Sequence, residues 1–273
     1  MRSLAEFLQT LPPEVIWVAL LLFSFTAILI LLRAFGALGL YIYVAVAIIG
    51  ANLHVLKAVQ FSVYPDPVAL GTVLFATTFL CTDILAEYYS PKMARRAVLV
   101  GFTSMILFTV MMFFAVAFRP VDPGQAGESW LWALEMHEHL SAIFLPLPAL
   151  LVAGLIAYLI SQYHDIWIYQ TIRRLTGGRF LWLRNNASTA VSALMDNIIF
   201  SVLAWIVLAA DPLPWKVVVV TYILGTYFLK LLVALLDSPV IYLARYLLPP
   251  EDRQRYELHH SPVSSSPSDS TKA

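Results

Sequence analysis

KVVVVTYILGTYFLKLLVALLDSPVIYLARYL, residues 216 to 247, decides the fold class. The run is apolar for longer than the roughly 20 residues a helix needs to cross a hydrocarbon core of about 30 Å. Between the flanking Lys216 and Arg245 its only charged residues are Lys230 and Asp237. With Thr226 these fall one and two turns apart on a single helix face. The strict alternation of a membrane strand is absent. A chain that hides an ammonium and a carboxylate in such a run is an α-helical membrane bundle with a polar interior.

Six further apolar runs, at 15 to 33, 37 to 56, 69 to 89, 97 to 118, 142 to 166 and 187 to 209, raise the expectation to about seven transmembrane helices. The composition agrees, because 60% hydrophobic and only 12% charged residues exclude an ordinary soluble domain. Basic residues test the helix count separately. Arg33, the group Lys92, Arg95 and Arg96, the group Arg173, Arg174, Arg179 and Arg184, and the group Arg245, Arg253 and Arg255 flank one side. The other side holds only Arg2, Lys57, Arg119 and Lys216. With seven helices the two sets alternate, which places the N-terminus outside and the C-terminus in the cytoplasm. The expected organisation is an N-terminal segment at 1 to 36 with one additional helix, a six-helix core at 37 to 248, and a disordered Ser- and Pro-rich cytoplasmic tail at 249 to 273. A short interfacial helix is expected from Ser129 to Leu140, with Trp130 and Trp132 at headgroup level.

A net charge of zero gives no basic excess for nucleic acid. The single cysteine, Cys81, can build neither a disulfide nor a thiolate metal site. His137, Glu138 and His139 are adjacent, so their side chains point apart on a helix, and no metal is expected. There is no GxxxxGK[ST], GxSxG or HExxH motif, so no enzyme class and no cofactor is expected.

Charges inside hydrocarbon each cost roughly 2.5 to 3.5 kcal/mol on insertion scales, so every one needs a reason. Asp83 and Glu87 lie one turn apart and share a face with Thr72. Tyr158, Gln162, Asp165 and Tyr169 form one stripe, and Asn185, Thr189, Ser192 and Asp196 another. At about 1.5 Å per residue, Asp83 and Lys230 lie roughly 21 Å from the outer face and Asp196 roughly 15 Å from the inner one. The three meet near mid-membrane, as a structural ion pair or as a polar ligand site. Asp165 and Asp237 read as inner-end caps or partners of the Arg loops. Asn52, His54 and Lys57 could line an entrance.

Two blocks carry a resemblance. GTVLFATTFLCTDILAEYYSPKMARR (71 to 96) resembles the TD-xxx-E motif, short loop and paired basic residues of queuosine-precursor transporters in the vitamin uptake transporter family. SQYHDIWIYQTIRRLTGGRFLWLRNNASTAVSALMDNIIF (161 to 200) is similar to that family's SQ-xx-D element, LWLRNN-x-ST junction and S-xxx-D helix. Lys230 matches a Lys of the last helix, and the resemblance covers roughly 50 to 247. Ser90 stands where a glycine usually ends the E-x-Y-G element, and the first helix is additional to the family's six-helix core.

The resemblance implies a multi-pass importer in the cell (inner) membrane, not an enzyme, that takes up 7-cyano-7-deazaguanine and/or 7-aminomethyl-7-deazaguanine for modification of tRNA. The implied substrate-binding set is Asn52, Phe79, Asp83, Glu87, Gln162, Asn186, Ser192, Asp196, Phe200, Tyr227 and Lys230. Asp196 or Glu87 would accept the two neighbouring donors of the base, and Lys230 or an Asn would donate to its carbonyl. Phe79, Phe200 or Tyr227 would stack on the ring. Asp196 and Asp83 are the candidate proton carriers. The implied partners are a nucleobase-like small molecule and membrane lipid, with proton coupling or separate energy-coupling subunits both left open. A permease for another purine-like or vitamin-like solute, an intramembrane enzyme and a structural membrane partner are the alternatives.

Overall fold

The computed structural model describes residues 2–260 apart from 65, 123, 125, 126, 146 and 147. A short amphipathic helix, α1 (Arg2–Gln9), leads into α2 (Pro13–Phe35), which starts on a proline whose missing N–H costs nothing in the first turn. Trp17, Leu21, Phe25, Ile28 and Leu32 of α2 recur at helical spacing and are buried against α3 (Ala37–His54), α4 and α10. Gly36 separates α2 from α3 at φ +57°, where a Cβ would stand 2.7 Å from Asp252 Oδ2. A ribbon of two residue pairs, β1 (Ala58–Val59) with β2 (Val68–Ala69), then returns the chain to the bundle.

α4 (Thr72–Tyr88) is the axis of the molecule. All of its residues except Leu74 and Phe75 are buried, and α2, α3, α5, α7, α8 and α10 surround it. Alanines and threonines let neighbours approach it closely, and the threonine hydroxyls turn back onto its own carbonyls, as Thr77 does on Val73 O at 2.9 Å. α5 (Pro91–Ala117) follows after one tight turn, and Ser90 caps it by accepting from Met93 N at 3.3 Å. The serine that departs from the family pattern therefore has its own local role.

After a 3₁₀ turn at Glu128–Trp130, α6 (Leu131–Phe144) packs on α5, with the Trp130 and Trp132 rings stacked 6.2 Å apart. α7 (Pro148–Leu175) and α8 (Leu181–Val202) form a hairpin whose turn uses positive φ at Gly177, Gly178 and Phe180. α8 continues as a π-helical segment, Leu203–Val207. α9 (Trp215–Val217) runs through a second π segment, Val218–Gly225, into α10 (Thr226–Leu247).

Among the described residues, six helices are long and apolar enough to cross a membrane: Pro13–Phe35, Ala37–His54, Pro91–Ala117, Leu150–Leu175, Leu181–Val207 and Trp215–Leu247. The protein is a multi-pass, all-α membrane protein. The remaining expected span is the central α4, which at 17 residues is shorter than these six and carries Asp83 and Glu87. Two local expectations change. α7 runs nine residues past 166 and α8 starts six residues before 187, because polar helix ends look like loop to hydropathy. Part of the expected tail, Pro250–His260, is a helix, α11, held by Tyr89 Oη donating to Asp252 Oδ2 at 2.9 Å and by Tyr256 edge-on to Tyr88 at 5.3 Å. Residues 261–273 lie outside the described part.

Candidate functional site

Successive turns of the helices around α4 place buried polar groups in three layers. Ser161, Asp165 and Tyr169 of α7 mark them, each four residues and therefore about 6 Å from the next.

The first layer surrounds a cavity of about 40 Å³ lined by Phe75 and Thr72 of α4, Asp196, Asn197 and Phe200 of α8, and Lys230 of α10, among others. Lys230 Nζ donates to Asp196 Oδ2 at 2.5 Å and to Asn197 Oδ1 at 2.6 Å, and lies 5.6 Å from the centre of the Phe75 ring. Asp196 Oδ1 accepts from Ser161 Oγ at 3.0 Å. The amide of Asn197 is tied to Ile223 O and Thr226 Oγ1, at 3.0 and 2.8 Å. Ile223 belongs to the second π segment, whose wider turns leave carbonyls for side chains to reach. Tyr64 Oη from the preceding loop likewise donates to Val220 O at 2.5 Å.

These bonds leave a definite chemical surplus. Each carboxylate oxygen of Asp196 has accepted one hydrogen bond and retains lone pairs, and the ammonium has three donors with two used. The cavity therefore presents acceptors beside a donor, between the rings of Phe75, Phe200 and Tyr222. A larger vestibule of about 310 Å³ opens next to it, lined by residues of α1 and α2 with His54, Lys57, Leu70, Gly71 and Thr72. Leu70 and Thr72 border both spaces. His54 and Lys57, expected at an entrance, line this larger space, and α2 forms one wall of it.

The second layer holds Asp83 of α4, Asp165 of α7 and Asp237 of α10, all buried. Asn185 Nδ2 donates to Asp237 Oδ1 at 2.8 Å. Asp165 and Asp237 were expected at the inner interface as solvated caps; the structure corrects this. α7 runs past the end of its apolar run, which leaves Asp165 inside the bundle, and Asp237 is covered because α4 and α8 pack against α10.

The third layer is an ion pair. Arg184 grips Glu87 with two bonds, Nη2 to Oε1 at 2.7 Å and Nε to Oε2 at 3.1 Å, while Tyr169 Oη adds a third at 2.9 Å. Arg184 Nη1 also donates to the carbonyls of Gly178 and Arg179, both at 3.0 Å, so one guanidinium ties the α7–α8 turn to α4. Such a planar fork on a carboxylate is the geometry Arg supplies and Lys does not. Outside the bundle, burial pushes the phenols of Tyr89 and Tyr256 above their ordinary range. Both therefore stay neutral against α4.

Of the residues anticipated as substrate contacts, Asp196, Phe200 and Lys230 meet at the cavity. Asn52 stands at its edge, its Oδ1 3.0 Å from where a Cβ on the lining residue Gly154 would be. The others do not line it. Gln162 is locked between Thr78 and Thr82, at 2.7 and 3.1 Å. Ser192 pairs with His164 Nδ1 at 3.1 Å, and Asn186 with Ser238 Oγ at 2.6 Å. Glu87 belongs to the third layer and Asp83 to the second. Phe79 is buried one turn further along α4 than Phe75, and Tyr227 is half-buried on α10. Sequence reading missed Phe75, Asn197 and Tyr222. A signal existed for Asn197, an amide next to Asp196 in MDNIIF. None existed for Phe75 or Tyr222, which look like ordinary apolar helix positions.

Residues 69–244, more than half of the chain and all three layers, match the protein family described as "Putative vitamin uptake transporter". The chain belongs to the vitamin uptake transporter family. A relative, "Probable queuosine precursor transporter" of Bacillus subtilis (strain 168), is 33% identical over 239 residues, which span 87% of this chain and 96% of that protein. No solved structure matches. The vitamin uptake transporter block begins at β2, so the vestibule wall contributed by α1 and α2 lies before it.

Proposed function

We propose that this chain imports 7-cyano-7-deazaguanine and/or 7-aminomethyl-7-deazaguanine across a prokaryotic plasma or inner membrane, with its N-terminus outside, its C-terminus inside and α4 completing seven spans. It acts as a carrier and performs no chemistry on the base. The observation that carries the reading is the Asp196–Lys230 pair at an aromatic-lined cavity, in a chain largely alignable with a protein named for queuosine precursor transport.

A deazaguanine edge offers N1–H and an exocyclic amine side by side, which a single carboxylate accepts in a bidentate arrangement. Asp196 takes that role, and Lys230 turns from the carboxylate to the neighbouring carbonyl of the base. The acceptors of Asp196 are then filled in both states, by Lys230 when the carrier is empty and by the donors of the base when it is loaded. The cavity must open for this, since ligand pockets run to about 300 Å³ or more. The vestibule already has that size, and the Leu70–Gly71–Thr72 corner between the two spaces is the outer gate. The Glu87–Arg184 pair closes the inner side.

The test is a strain unable to synthesise queuosine precursors. Expression should restore queuosine in tRNA from low external precursor, with the base recovered unmodified inside the cell. A membrane-inserted protein that restores nothing points to another purine-like or vitamin-like solute and refutes this specificity.

A further inference from the structure

Between the cavity and the inner ion pair, three helices each contribute one carboxyl with no cation among them. Asp83 and Asp165 are 0% exposed and Asp237 is 1% exposed, and Asp83 lies within electrostatic reach of both. The charged and titratable neighbours are committed elsewhere or carry no positive charge. On α10, Lys230 is bound to Asp196 and Asn197; on α8, Arg184 is bound to Glu87. On α7, Tyr169 donates to Glu87, Arg173 lies 3.9 Å from the same carboxylate, and half-buried His164 faces Ser192. Cys81 shares α4 with Asp83, and Tyr43 of α3 meets Thr77. The buried faces of α2 and α5 add no titratable side chain.

Two further observations say what is missing. Neither oxygen of Asp83 has a donor within hydrogen-bond distance, and its carboxyl faces that of Asp165. Two acceptors facing each other become a hydrogen bond only when one holds a proton. Asn185, fully buried, donates to Asp237 and leaves its own Oδ1 without a partner, so it too lacks a donor. Three bare carboxylates in such a place would combine desolvation costs of several kcal/mol each with mutual repulsion.

We propose that Asp83, Asp165 and Asp237 form a proton-binding site, separate from the substrate cavity, in which Asp83 and Asp165 share a proton at neutral pH. Proton occupancy biases the helices between outward-open and inward-open arrangements. Asp83 sits one turn from Glu87, and Asp237 seven residues from Lys230, so the site touches both the inner gate and the cavity pair through rigid helix. Asp196 has Lys230 as its partner when the carrier is empty and the donors of the base when it is loaded, and is not the proton carrier. Both oxygens of Asp165, like those of Asp83, lack a hydrogen-bond partner. The proton site stands independently of the transport reading; its coupling to uptake rests on that reading.

Infrared difference spectroscopy of the purified protein, titrated in light and heavy water, tests occupancy without any substrate. The expected result is a protonated-carboxyl C=O band at neutral pH that fades as pH rises and is lost or shifted in Asp83→Asn and in Asp165→Asn. Absence of that band, or a band unchanged in both variants, overturns the site. In proteoliposomes, wild-type protein should accumulate the deazaguanine base under an inward proton gradient, and Asp237→Asn should exchange base across the membrane yet lose gradient-driven accumulation. Accumulation that follows sodium and ignores pH overturns the coupling. The infrared band with no movement of any base retains the proton site and refutes the substrate assignment.

Discussion

Neutralising the Asp196–Lys230 pair one side at a time and then together separates a structural pair from a ligand site. Both groups are buried, and their contact is 2.5 Å. Lys230→Met leaves Asp196 with only the Ser161 hydroxyl, and Asp196→Asn leaves an ammonium held by Asn197 and the new amide. Removing one partner of a buried pair costs about 3 to 5 kcal/mol, the higher figure applying to Lys230→Met because a bare carboxylate remains. At roughly 2 to 4 °C per kcal/mol, that is a fall in Tm on the order of 10 °C. The double variant removes both charges and should recover most of the loss, giving a coupling energy above about 2 kcal/mol in the double-mutant cycle. Uptake should behave differently. Losing two charge-assisted bonds to the base, about 1.5 to 3 kcal/mol each, raises the half-saturating concentration by roughly 100-fold or more in every variant that lacks the carboxylate. Thermal unfolding in detergent and uptake of labelled precursor read the two effects on the same preparations. If the double variant regains uptake along with stability, the pair is structural only and the proposed recognition fails.

Three further tests probe single contacts. Phe75→Ala should weaken precursor affinity up to about 10-fold by removing the ring beside Lys230, whereas Phe79→Ala should cost stability and leave affinity near wild type; equal effects on affinity would displace the cavity assignment. Gly71→Ala places a Cβ 2.7 Å from the carbonyl oxygen of Ala51 at φ +97°, so strain of about 1 to 2 kcal/mol plus the clash should lower Tm and slow uptake, and an unchanged Tm would show the turn to be misdrawn. Ser90→Ala should lose about 1 kcal/mol of α5 stability while Ser90→Gly, the residue usual in the family, loses only a few tenths, a difference that thermal unfolding resolves if the cap is real.

Much of the architecture was legible because a lipid solvent leaves few choices. Backbone groups in hydrocarbon must bond within their own segment, so long apolar runs can only be helices, and residues 15 to 33 and 216 to 247 declare themselves. Depth was legible in part, since rise per residue is constant along a helix: Asp196 and Lys230 were expected at one level and are in contact, whereas Asp83, expected with them, lies in the next layer. Helix ends were not legible where polar residues continue the helix. Gln170, Arg173 and Arg174 extend α7, which is why Asp165 looked interfacial and is buried, whereas Asp237 is buried because α4 and α8 cover its face of α10.

Sequence by itself established an all-α membrane bundle, a family resemblance and a polar interior. It carried no information about rotation, because which side of α4 faces which neighbour depends on how six helices pack around it at once. Only that packing decides that Lys230 takes Asp196 and leaves Asp83 without a cation, that Arg184 claims Glu87, and that Phe75 lines the cavity while Phe79 does not. A residue's place along a helix follows from counting, whereas its partner follows from the crossing of helices distant in the chain.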